Sequence, residues 1–267
     1  MLKTGHGLSE KEISKKYSKF AKELDMPKYF YKRVYTFLSS NTDLNGKKIL
    51  DFGCGNGELL QIFVNNGVRS SNLYGVDVSP ELIKLSKKKL KLKAKVKIYQ
   101  GEKINFKDNF FDIILMTEVF EHLKDPKKTI TELKRILKKG GILLITVPNG
   151  SAYRPFWDMV KNLRIKKLKK IFLPPEHPER TQQPIDTCYR WNEIIFILDQ
   201  LELKRLKTSS REYFPYIVHF IWRKIDPQIG MGFGDFLNKN VGNLFDFFKL
   251  KRIGYRCFFL MQKIKKD

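Results

Sequence analysis

The stretch KKILDFGCGNG, residues 47–57, constrains the fold more than any other part of the chain. Ile49 and Leu50, flanked by Lys47 and Lys48 and closed by Gly53, have the pattern of a short buried strand. Glu58, Leu59, Leu60, Ile62 and Phe63 then carry helical periodicity up to Asn65, Asn66 and Gly67. Glycine lacks a Cβ, so such a turn lets the backbone approach a ligand closely, and the helix start offers unpaired N–H groups and a partial positive charge. The spacing Gly53, Gly55, Gly57 is G-x-G-x-G, not the G-x-G-x-x-G that seats a pyrophosphate. Asp51 directly ahead of it would repel a diphosphate. A carboxylate at that strand end calls for a ligand carrying a cationic group.

The pattern then repeats. Strands at about 47–53, 72–78, 95–100, 111–117 and 141–147 alternate with helices, which predicts a parallel sheet with right-handed crossovers. In such sheets the ligand lies beyond the carboxyl ends of the strands, where Asp51, Asp77, Gln100 and Thr117 fall. Residues 8–40, with Leu8, Ile13, Tyr17, Phe20 and Leu24 near helical spacing and a break at Pro27, read as two helices ahead of the sheet.

S-adenosylmethionine, with an ammonium, a sulfonium and a single carboxylate, suits an acid followed by a glycine turn. At these residues the chain resembles the class I S-adenosylmethionine-dependent methyltransferases, in particular the type 11 and ubiquinone-pathway O-methyltransferase-like group. NLYGVDVSPELI (72–83), FDIILMTEVFEHLKDP (111–126) and LKRILKKGGILLITVPN (133–149) follow in the family's order. The resemblance covers about residues 45–150. It implies a Rossmann-like α/β fold: a seven-stranded, mostly parallel sheet with helices on both faces and helical insertions over the substrate site. Strand six would be LELKRLKTSS and the last strand YRCFFLMQKI, residues 255–264. The resemblance assigns the methionine part of the cofactor to Asp51, Gly53, Cys54, Gly55 and Gly57, and the ribose to Asp77 beside Val78. Thr117, at the end of the fourth strand, is expected among the cofactor-binding residues. The acid expected to bind the adenine amino group is replaced by Gln100 or Glu102.

The whole chain, 1–267, reads as one methyltransferase domain: N-terminal helices in 1–45, a cofactor-binding core in 46–150, and substrate-side insertions in 151–190 and 211–250. The first insertion carries a basic amphipathic stretch with Trp157, Val160, Leu163 and Ile171 on its apolar side, ended by Pro174 and Pro175. That pattern fits either a lid packed on its own domain or a peripheral contact with an anionic membrane. No segment reaches the about 18 continuous apolar residues of a membrane span. Cys54, Cys188 and Cys257 form no CxxC pair, which fits a reducing compartment, and a cytoplasmic location is expected. The net charge of +24 favours anionic partners. The excess, however, is mostly lysine spread from Lys3 to Lys266, without an arginine cluster or a nucleic-acid module, so nucleic acid is the less favoured partner.

Methyl transfer from a sulfonium is an in-line displacement that depends on bringing the acceptor close and aligned, and a base is needed only when a hydroxyl must lose its proton. Among four histidines, His122 in EVFEHL and His177 in the first insertion are the candidate bases, with Glu118 and Glu121 beside the former. EVFEHL resembles the loop of ubiquinone-pathway O-methyltransferases. It also resembles the E-x-x-E-H metal site of small-RNA 2'-O-methyltransferases, in which Glu118, Glu121, His122 and His177 would bind magnesium. The expected function is O-methylation of a small-molecule or lipid-linked acceptor without metal. The alternatives are a metal-assisted RNA methyltransferase and a non-catalytic cofactor-binding scaffold.

Overall fold

A computed structural model describes residues 9–19, 28–91, 94–99, 103–151, 187–211, 254 and 256–264. Seven strands form one sheet: β1 (Ile49–Phe52), β2 (Leu73–Asp77), β3 (Lys95–Ile98), β4 (Phe111–Thr117), β5 (Leu137–Pro148), β6 (Leu203–Arg211) and β7 (Arg256–Lys263). Their order is β3-β2-β1-β4-β5-β7-β6. The pairs from β3 to β5 are parallel, and β7 runs antiparallel to both β5 and β6. This is the mostly parallel seven-stranded sheet expected from the sequence. The order reverses between β1 and β4, so the topological switch point lies beside the glycine turn.

Side chains alternate along each strand and supply two cores. Leu50, Phe52, Ile114, Met116, Leu143 and Ile145 face α5 (Pro126–Ile136) and α6 (Trp191–Asp199). Ile49, Leu73, Ile113, Leu115 and Leu144 face α2 (Lys28–Ser39), α3 (Glu58–Asn65) and α4 (Pro80–Lys89). Both faces are covered, which is why the central strands are apolar almost throughout. Asp51 and Asp77 interrupt that pattern, as buried acids in otherwise apolar strands.

Two helices on either side of the sheet begin with a side-chain cap and a proline. Ser79 accepts from Leu82 N at 3.2 Å ahead of Pro80 at the start of α4, and Asp125 accepts from Lys128 N at 2.9 Å ahead of Pro126 at the start of α5. α1 (Glu10–Lys19) lies apart from the main cores and buries Ile13 and Tyr17 against Val78. One boundary differs from expectation. The Gly140–Gly141 pair does not separate α5 from a strand beginning at 141, because β5 already pairs Leu137 with Phe111. A bulge then absorbs the intervening residues before Ile142 pairs with Ile113. The helical stretch expected after Arg154, and the second insertion, lie outside the described residues.

Candidate functional site

The carboxyl ends of β1, β2 and β4 meet around the glycine turn. Gly53, Gly55 and Gly57 all have positive φ (79°, 53° and 80°). A Cβ on Gly53 would stand 2.3 Å from Val119 Cγ2, and one on Gly57 would stand 2.4 Å from Ser86 Oγ. Backbone conformation and space therefore both require glycine at these two positions. The turn is tied to β2 by Gly53 N and Cys54 N, which donate to the Val76 carbonyl at 2.8 and 3.0 Å.

Two carboxylates flank this turn. Asp77 Oδ2 accepts from Gly55 N and Oδ1 from Ser79 N, each at 2.9 Å. A carboxylate offers about four lone-pair positions, so Asp77 keeps acceptor capacity for a ligand. Asp51 is only 1% exposed, and its Oδ1 makes no hydrogen bond. Burial, reinforced by the neighbouring Asp77 carboxylate, raises Asp51 from the usual 3.8 to about 7. Burial raises Asp77 as well, against the lowering effect of bonds from the amides of Ser79, Gly55 and Val78. Burial, with both acids nearby, also holds the Cys54 thiol protonated, so Cys54 fills space and has no nucleophilic character here. An orphaned buried carboxylate oxygen beside a second acid matches a ligand bearing an ammonium group. The free face of Asp77 matches a vicinal diol. Both features belong to S-adenosylmethionine.

After β4 the chain turns at Glu118 and Val119 into a short 3₁₀ turn, Phe120–His122. His122 Nε2 lies 3.7 Å from Glu121 Oε1, and the Tyr17 ring meets the imidazole edge-on at 5.8 Å. Tyr17 thus reaches the β4 loop from α1. From the same helix, Ser14 Oγ donates to the Val78 carbonyl at 2.5 Å and Ser18 Oγ lies 3.0 Å from Ser79 Oγ. α1 therefore bridges the ends of β2 and β4 across the glycine turn. Thr187 N, where the described chain resumes after residues 152–186, donates to the Glu121 carbonyl at 2.8 Å. Asn149 Nδ2, just after β5, donates to the Gly254 carbonyl at 2.9 Å, two residues ahead of β7.

The structure brings together Asp51, Gly53, Cys54, Gly55, Gly57, Asp77, Val78 and Thr117, and it sets His122 and Glu121 at the adjoining β4 loop. Gln100, Glu102 and His177 lie outside the described residues. Glu118, named beside His122 and in the metal alternative, has a carboxylate that accepts from Arg256 Nε at 2.9 Å and from Thr146 Oγ1 at 2.9 Å. Among the described residues no three His, Cys, Asp or Glu side chains are grouped to hold a metal. Arg256 and Thr146 carry no motif, and sequence reasoning passed over both. The available signal was a lone Arg in YRCFFLM and a lone Thr in ILLITV, since a polar group inside an apolar strand needs a buried partner.

Comparison with known proteins gives the same reading. A model for the methyltransferase domain matches residues 50–145. A ubiquinone biosynthesis O-methyltransferase of Pelagibacter ubique is 32% identical, over 54% of this chain and 67% of that protein. A malonyl-[acyl-carrier protein] O-methyltransferase of Paenibacillus sp. is 30% identical, over 37% of this chain and 38% of that one. The chain thus spans about two thirds of the first relative's length and much less of the second's. A solved S-adenosylmethionine-dependent methyltransferase of Methanosarcina mazei shares the fold with a TM-score of 0.58 at 19% identity, over 87% of this chain and 99% of its own. With its sheet order, glycine turn and strand-end acids, the chain belongs to the class I S-adenosylmethionine-dependent methyltransferases.

Proposed function

We propose that this methyltransferase acts on a hydroxyl of a small-molecule or lipid-linked acceptor. The observation that carries the cofactor half of the proposal is the buried Asp51 oxygen without a partner, set beside Asp77 at the lip of the glycine turn. Asp51 would bind the ammonium of S-adenosylmethionine, the Gly53–Gly57 turn would approach the methionine part, and Asp77 would accept from the ribose hydroxyls. Gln100 or Glu102 would receive the adenine amino group, and Val78 and Thr117 would wall the site. Bound there, S-adenosylmethionine supplies an electrophilic methyl group on a sulfonium. The chain's own part is to align the acceptor oxygen behind that methyl and to accept its proton.

His122 is the base we assign, with His177 the other candidate. His122 would stand at the mouth of the cofactor cleft, with its Nε2 3.7 Å from Glu121 Oε1. Two relatives named as O-methyltransferases support oxygen over nitrogen as the acceptor atom. Residues 1–267 would act as one domain, with the insertions 151–190 and 211–250 forming the acceptor side. The basic amphipathic stretch of the first insertion would rest on an anionic membrane when the acceptor is lipid-linked. No helix among the described residues is long and apolar enough to cross a membrane. The metal-assisted RNA alternative is weakened because Arg256 engages Glu118, the first acid of E-x-x-E-H.

The test is transfer of a radiolabelled methyl group from S-adenosylmethionine to phenols and other hydroxyl acceptors, free or in anionic vesicles, with amines and structured RNA in parallel. Labelling of hydroxyl acceptors, lost in His122→Gln, is expected. Labelling of RNA alone, dependent on magnesium, would overturn the proposal.

A further inference from the structure

Glu118 has φ 53°, a left-handed conformation that costs a residue with a side chain and persists only where its surroundings hold it. Four hydrogen bonds do so. Its amide donates to the Thr146 carbonyl at 3.1 Å and to Thr146 Oγ1 at 3.2 Å. Thr146 Oγ1 donates to Glu118 Oε1, and Arg256 Nε donates to Glu118 Oε2, each at 2.9 Å. The Arg256 and Glu118 side chains are 4% and 10% exposed. The guanidinium also lies over the Phe30 ring of α2, 4.9 Å from its centre. β4, β5, β7 and α2 therefore meet at one buried ion pair.

This corner immediately precedes the site. Val119, the next residue, fills the space that a Gly53 side chain would need. His122 N donates back to the Val119 carbonyl at 2.9 Å. We propose that Arg256 is a positioning residue for methyl transfer: by holding Glu118 in its left-handed corner, it seats Val119 on the glycine turn and His122 at the mouth of the site. The proposal rests on the reading above, in which the glycine turn holds the cofactor and His122 faces the acceptor. Without the guanidinium, the buried Glu118 carboxylate loses this ion pair, and the corner relaxes toward conformations in which the carboxylate reaches water. Arg256 enters from the last strand, so a residue far along the chain fixes a loop of the cofactor-binding core.

The experiment uses the full chain with ¹³C-labelled histidine, its His122 signals identified by His122→Gln. Arg256→Met removes the charge, Arg256→Lys keeps the charge without the planar fork, and Thr146→Val removes only the hydroxyl. In Arg256→Met and Arg256→Lys, the His122 signals and their titration should move, and Kd for S-adenosylhomocysteine should rise about 10-fold or more. Thr146→Val should move both in the same direction by less. Should Arg256→Met fail to fold, Arg256→Lys and Thr146→Val decide the matter. His122 signals and Kd within about twofold of wild type in those two folded variants would overturn the proposal. If wild type does not bind S-adenosylhomocysteine, the reading of the cofactor site fails, while the His122 signals still decide whether Arg256 positions the loop.

Discussion

Replacing Asp51 by Asn should change how the stability of the ligand-free protein depends on pH, and the structure sets the size of the effect. Asp51 is raised from 3.8 to about 7, first by burial and then by Asp77. An acid whose folded pKa lies above its unfolded value binds more protons folded than unfolded. Its stabilising effect is complete below pH 3.8 and lost as pH climbs through about 7. At about 1.4 kcal/mol per pH unit, wild type should lose roughly 3 kcal/mol between pH 5 and pH 8 through this group alone. Asn cannot ionise, so that loss should disappear from Asp51→Asn, whatever constant penalty the buried amide brings. Urea denaturation of both proteins at pH 5 and pH 8 measures the ionisation of Asp51 together with its coupling to Asp77. The stability difference, variant minus wild type, should shift by about 3 kcal/mol in favour of the variant on going to pH 8. A difference that stays constant with pH would refute the reasoning that Asp51 is a buried carboxylate waiting for a cation.

Other consequences are simpler to test. Gly53→Ala meets both a φ of 79° and a contact of 2.3 Å with Val119 Cγ2, and it should cost about 2 kcal/mol or more in thermal or urea unfolding. An unchanged midpoint would mean the turn relaxes freely. Asp125→Ala removes the cap that accepts from Lys128 N at 2.9 Å, and should cost about 1 kcal/mol without altering cofactor affinity. Because Arg256 already serves as the cation at Glu118, chelator treatment should leave methyl transfer unchanged. Activity restored only by added magnesium would contradict that.

Much of the fold was legible because its determinants are local. The strand–turn–helix unit at 47–65 is set by apolar runs and glycines within a few residues. The strand-end acids could be read for a related reason, since a charge inside an apolar run requires a function or a partner. What escaped depended on contacts distant in sequence. Glu118 looked available because its counter-ion lies 138 positions away on β7, and no spacing rule connects the two. The start of β5 was misjudged because Gly140–Gly141 signals a turn, whereas tertiary pairing with Phe111 draws the residues before it into the sheet. The role of α1 as a bridge from Val78 to His122 likewise appears only when the ends of β2 and β4 are seen side by side.

The most direct test of the central claim is titration calorimetry at pH 8 with S-adenosylmethionine, and in parallel with NADH, on wild type and Asp77→Ala. Binding of S-adenosylmethionine in about the micromolar range, no binding of NADH, and loss of most of the affinity in Asp77→Ala are expected. Equal affinity in wild type and the variant, or no binding of S-adenosylmethionine by wild type, would contradict the assignment of the strand-end carboxylates to the cofactor.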